Sequence, residues 1–196
     1  MPSARIRPYR QVARAASTED LRQRILDAFR AAMRDMWMDD VGLDRVAADA
    51  GTTRQTVIRL FGGKEGLIEA LALRERSAVE LRRATPRPAT PEAVVDAILV
   101  DYEALGDLVC RLLAQEERHP ALRRWHDVGR AFHRAWVEDV FSPALPADLA
   151  GREALVTQLV VALDLYVWKL LRRDFGRSVE ETRSLMTDMV RKILEG

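Results

Sequence analysis

Eight consecutive positions, Thr52 to Arg59, carry hydroxyl, amide and guanidinium groups at Thr52, Thr53, Arg54, Gln55, Thr56 and Arg59, interrupted only by Val57 and Ile58. Such side chains donate to phosphate oxygens and read the donors and acceptors on base edges. The chemistry they point to is recognition, not bond making. Elsewhere, three histidines stand at 119, 126 and 133. Their spacing of seven suggests a metal site, but helix positions seven apart lie about 10.5 Å apart along the axis, too far for one ion to bridge without other ligands. The chain has no glycine-rich nucleotide loop, metal-ligand cluster or nucleophile motif. The reading is therefore of a protein that is not an enzyme and needs no metal or cofactor.

The elements that must position Thr52–Arg59 follow from the residues around it. Leu43–Ala50 is a short helical pattern, Gly51-Thr52-Thr53 a turn, and Arg54–Phe61 a second short helix. Gly51 allows a positive φ after the first helix, and Thr53 is placed to cap the second. Ala47 lets the two helices touch. Val46 and Ala50 on one helix, with Val57 and Phe61 on the other, form the inward face. This is the pattern of a helix-turn-helix, whose second helix enters the DNA major groove. Upstream, Leu21, Ile25, Phe29, Ala32, Met33 and Met36 recur at helical spacing in a first helix that starts near Ser17-Thr18. Gly62-Gly63 ends the reading helix, and a long helix runs from Lys64 to about Arg83.

Ala, Leu and Arg, all strong helix formers, dominate the 196 residues, so the fold class is all-α. Residues 1–64 hold twelve Lys/Arg and eight Asp/Glu, and residues 65–196 hold nineteen and twenty-two. The basic front suits a polyanion. Residues 1–17 read as a flexible basic arm, 18–64 as the DNA-binding domain and 65–83 as a connecting helix. Residues 84–196, which open on the Pro-rich boundary "TPRPATP", read as a second helical domain that binds ligand and dimerises. Its patterns are Pro91–Leu105, Asp107–Glu117, Pro120–Val140, Arg152–Asp174 and Val179–Leu194, with breaks at Gly106, His119-Pro120, "SPALPADLAG" and Gly176. The single cysteine, Cys110, fits a reducing compartment, and the N-terminus lacks the apolar core of a secretory signal, so a cytoplasmic protein without a membrane span is expected.

Residues 18–70 resemble the tetracycline-repressor (TetR) family of transcriptional regulators. The resemblance rests on Val46-Ala47, Ala50-Gly51, Thr53, Thr56-Val57, Phe61, Lys64-Glu65 and Leu67. It implies a repressor that binds a palindromic operator in double-stranded DNA as a homodimer and is released by a small molecule. It also implies DNA contacts from Thr52, Thr53, Arg54, Gln55, Thr56, Ile58, Arg59 and Lys64, with Lys64 on a phosphate. Gln55, Ile58 and Leu60 stand where the family usually has Gly, Tyr and His, and Gly42 where it often has Thr. The usual tyrosine contacts DNA, whereas Ile58 either touches a thymine methyl or is packed.

For the second domain, Tyr102, Cys110, Glu116, Trp125, His126, Phe132, His133 and Trp136 are the candidates to line a mainly apolar effector pocket, against core packing as the default for each aromatic residue. The stripes containing Leu159, Ala162, Leu163, Tyr166 and Leu170, and then Leu185, Met189 and Ile193, are broader than one packed face requires, and they predict a dimer interface. The alternatives are an effector-free regulator controlled by a protein partner, and a helical interaction module that does not read DNA.

Overall fold

The computed structural model describes residues 6–85 and 89–196, with side chains from Ala16 onward. The described residues contain helices and no strands. The chain divides into two compact units, Met1–Leu73 and Arg74–Gly196.

In the first unit, α1 (Ile6–Asp35) leads through a single 3-10 turn, Met38–Asp40, to α2 (Leu43–Asp49) and α3 (Arg54–Phe61). Within the stretch expected as a flexible basic arm, residues 1–17, the backbone is helical from Ile6; residues 1–5 lie outside the described residues. Ala, Arg and Gln favour the helix there. Pro8 sits in the first turn, where an absent N–H breaks no intrahelical bond. The core of this unit is Ile25, Phe29 and Met33 of α1, Met38, Val41, Val46 of α2 and Val57 of α3, closed by Leu67 and Leu71. The last two lie on α4 (Lys64–Arg82).

The second unit is built on α5 (Pro91–Leu113), α6 (Pro120–Val140), α7 (Leu149–Ala162), α8 (Leu165–Lys169) and α9 (Val179–Glu195). Thr90 caps α5 through its side chain, with Pro91 at the first helical position. Ser178 and Glu181 form a reciprocal capping box at the start of α9. The core joins Val94, Val95 and Ile98 of α5, Val137 of α6, Leu159 of α7, Trp168 of α8, and Met186 and Val190 of α9.

Two expected breaks differ. Gly106 lies inside α5 and does not end a helix. A Cβ there would sit 2.4 Å from Cζ3 of Trp168, so the glycine is a contact surface for the indole and not a helix stop. Conversely, the expected helix Arg152–Asp174 is interrupted. After Ala162 the chain turns, the Asp164 carboxylate accepts from the Tyr166 N–H at 2.8 Å, and α8 starts and runs into a π-helical turn, Leu170–Asp174. The stretch Leu149–Asp174 is long and apolar enough to cross a membrane by length and composition. Its interruption at Asp164, and the burial of Val156, Leu159, Leu163 and Trp168, fit the core of a helical bundle.

That interruption also corrects the interface stripe. A continuous helix would keep Leu159, Ala162, Leu163, Tyr166 and Leu170 on one face, but the turn at Leu163-Asp164 changes the phase. Leu159 and Leu163 are fully buried in the core of their own chain, while Tyr166 and Leu170 are exposed.

Candidate nucleic-acid interface

The turn before α3 is made as its residues require. Gly51 has φ 66°, and Thr52 N–H donates to the Ala47 carbonyl at 2.9 Å, closing the end of α2. Thr53 is extended and its Oγ1 accepts from the Thr56 N–H at 3.3 Å, with the Thr56 hydroxyl 3.1 Å away. Val57 is completely buried, which fixes the rotation of α3 about its axis. Thr53, Arg54, Gln55, Ile58 and Arg59 are consequently exposed, and Thr52 and Thr56 half-buried. Arg54 reaches Asp44 of α2 only at 3.9 Å, with both side chains largely in solvent. Such a pair is weak and yields its guanidinium readily to a phosphate or base.

The far end of α3 is fixed by residues that periodicity does not single out. Gly62, at φ 78°, ends the helix in the left-handed region. Arg22 of α1 donates to the Leu60 carbonyl at 2.8 Å, and its guanidinium carbon lies 4.5 Å above the centre of the Phe61 ring. A cation here meets the negative end of the helix dipole. Gly66 matters more: a Cβ at that position would come within 1.7 Å of the Phe61 carbonyl oxygen. Only a glycine lets the first turn of α4 approach the last turn of α3. The signal was present in Lys64-Glu65-Gly66-Leu67, but a glycine in a helix's first turn looks like a weak helix former until its neighbour is known. Lys64 Nζ donates to the Met38 carbonyl at 2.7 Å, so this ammonium ties α4 to the 3-10 turn.

The pocket candidates in the second unit fall into three places. Tyr102, Phe132, His133 and Trp136 come together around Arg83, whose guanidinium carbon is 5.8, 5.7 and 5.2 Å from the Tyr102, Phe132 and Trp136 ring centres. Arg83 Nε donates to Asp101 Oδ2 at 2.6 Å, and Trp136 Nε1 donates to the Arg83 carbonyl at 3.1 Å. The Tyr102 hydroxyl donates to the Leu163 carbonyl at 2.9 Å. Burial raises the Tyr102 phenol well above its ordinary pKa. Burial and the adjacent Arg83 lower His133 to about 4, so the ring is neutral, with Nδ1 facing Arg83 Nη1 at 3.3 Å and Nε2 facing the Val160 carbonyl at 3.3 Å. Glu116, Trp125 and His126 form a second group: His126 Nδ1 is 2.9 Å from the Glu116 carboxylate, and the Trp125 ring stacks 6.2 Å away. Cys110 is half-buried against the core that also holds Tyr102 and Trp136, its thiol pushed up by burial.

Arg83 and Asp101 were not singled out by sequence. Their signal is an aspartate on the apolar face of α5, between Ile98 and Tyr102, and an arginine pair at the end of α4.

On the α7–α9 side, Thr157, Gln158, Val161, Ala162, Val167, Met189, Lys192 and Ile193 line an open groove of about 500 Å³. Val161, Tyr166, Leu170 and Leu185 add exposed apolar surface.

Residues 25–71 match the family described as bacterial regulatory proteins, tetR family. Over 74 residues the chain is 38% identical to the HTH-type transcriptional regulator AlkX of Mycobacterium tuberculosis, a match that spans 37% of this chain and 35% of that protein. Among solved structures, Salmonella enterica GusR has a TM-score of 0.72 at 19% identity, covering 90% of this chain and 96% of its own. A tetR-family regulator from Streptomyces coelicolor has a TM-score of 0.69 at 19% identity, covering 89% and 79%. At those identities the structures speak for the fold alone, and the family match speaks for the reading module. With the capped turn and the exposed polar face of α3, they lead to one conclusion: residues 25–71 match the reading module of bacterial regulatory proteins of the tetR family, in a chain that shares the fold of solved tetR-family regulators.

Proposed function

We propose that the protein is a repressor that binds a near-palindromic operator as a homodimer in the cytoplasm, with α3 in the major groove, and that a small molecule bound in residues 84–196 releases it. The observation that carries the DNA reading is α3 itself. Its rotation is fixed by buried Val57, and it presents Arg54, Gln55 and Arg59 outward behind a Thr53-capped turn. The open apolar groove between α7 and α9 is the surface we assign to the second copy. A dimer that reads two half-sites on one DNA face needs its two reading helices about 34–36 Å apart. An effector that favours a different spacing lowers operator affinity by its difference in binding to the two states.

Selection from a random duplex library tests the DNA reading. An enriched palindrome is expected, with Arg54→Ala and Gln55→Ala each losing about 1–3 kcal/mol of discrimination at their base pairs. No enriched site, or unchanged binding by both variants, refutes it. A thermal-shift screen tests the effector: stabilisation by mainly apolar compounds is expected, and a response only to strongly charged, sugar-like compounds contradicts it. One observation favours a second reading, a regulator without effector: the space among Tyr102, Phe132 and Trp136 is filled by the Arg83 guanidinium.

A further inference from the structure

Ile58 is an anomaly on the reading surface. A β-branched aliphatic side chain in an eight-residue helix that already buries Val57 has no need to face water, yet Ile58 is 43% exposed. Packing covers only part of this side chain and leaves the rest on the reading face. Its neighbours on the same face are Arg54, one turn before it, and Gln55, three residues before it, and both are exposed. A lone apolar group flanked by a guanidinium and an amide is matched by only one feature of the major groove. Every other base edge there offers a donor or an acceptor, whereas thymine offers its 5-methyl group. Isoleucine has no hydroxyl or amine and so cannot bond a phosphate.

We propose that Ile58 is a specificity-determining residue that reads a thymine methyl in each operator half-site, beside the base pair contacted by Gln55 or Arg54. The inference rests on the DNA reading above, and the two fail in different ways. The contact adds nothing to non-specific, salt-dependent affinity, which comes from the cations. It excludes cytosine and also penalises thymine without its methyl, because in both cases the isoleucine is dehydrated against nothing. One buried methyl corresponds to about a three- to tenfold change in affinity.

The test replaces each thymine of the enriched half-site, one at a time, with deoxyuridine, which pairs identically and lacks only the methyl. With the wild-type protein, one position in each half-site is expected to lose affinity about three- to tenfold. Ile58→Ala, checked as folded by circular dichroism, should bind the thymine and deoxyuridine duplexes equally at that position, and Ile58→Val should keep part of the difference. A half-site without thymine, no deoxyuridine-sensitive position, or undiminished sensitivity in Ile58→Ala overturns the proposal while leaving the DNA reading standing. A library from which nothing is enriched overturns both.

Discussion

Arg83 and Asp101 meet at 2.6 Å with both side chains buried, the arginine just beyond the end of α4 and the aspartate in the middle of α5. Arg82 reaches the other oxygen of the same carboxylate, so one aspartate holds two guanidinium groups. Each half of such a cluster is tolerable inside a protein only because of the other. Asp101→Asn should lower unfolding stability in urea by about 3–5 kcal/mol, because Arg83 is left charged and buried. The double variant Arg83→Met/Asp101→Leu should recover a large part of that loss. A double variant as unstable as the single one would show that the ion pair contributes more than it costs to bury.

His133 makes stability depend on pH with a definite sign. The unfolded imidazole takes its proton near 6.5, and the folded one only near 4. Between those values the unfolded chain binds more protons, so stability is full above 6.5 and falls as pH drops toward 4. His126, also lowered chiefly by burial, acts in the same direction. Thermal melts across this window should therefore show a shallower slope for His133→Gln than for the wild type. Equal slopes would place the titration elsewhere.

Gly106→Ala sets two effects against each other. Alanine in a helix interior gains about 1 kcal/mol over glycine. The new Cβ, however, lies 2.4 Å from the fully buried Trp168 ring, and overpacking of that kind costs about 1–3 kcal/mol. The steric term should win, with a lower melting temperature and a shifted tryptophan emission. A more stable variant would mean that the indole moves freely, against its hydrogen bond to Glu103 at 2.8 Å.

The groove between α7 and α9 gives a paired test. Val161 is 58% exposed and lines the groove, whereas Leu163 is completely buried. Val161→Arg should leave helicity and melting nearly unchanged but give a monomer of 22.2 kDa by light scattering, with loss of operator binding. Leu163→Arg should unfold the second unit. A wild type that is already monomeric at micromolar concentration would remove this face from the interface.

The amino-acid sequence by itself determined the reading module. Turn chemistry and helix periodicity are local, and each residue of that module acts on neighbours within a turn or two. Gly51 takes the positive φ, Thr53 caps, Val57 faces inward and Gly62 stops the helix. The bounds of α3, Arg54–Phe61, were legible for that reason. Only the tertiary structure decided the rest, because those choices depend on partners far along the chain. Gly106 reads as a break until Trp168, 62 residues later, is seen to occupy the space its side chain would fill. Gly66 reads as a weak helix former until the Phe61 carbonyl is found against it. Leu159 and Leu163 belong to an apolar stripe that points outward only if the helix continues, and the Asp164 cap, competing locally with the helix, turns them into the core. The aromatic residues Tyr102, Phe132 and Trp136, candidates to line a pocket, gather around a buried Arg83–Asp101 pair. Charge burial depends on where two distant side chains meet, and no periodicity along the chain encodes that.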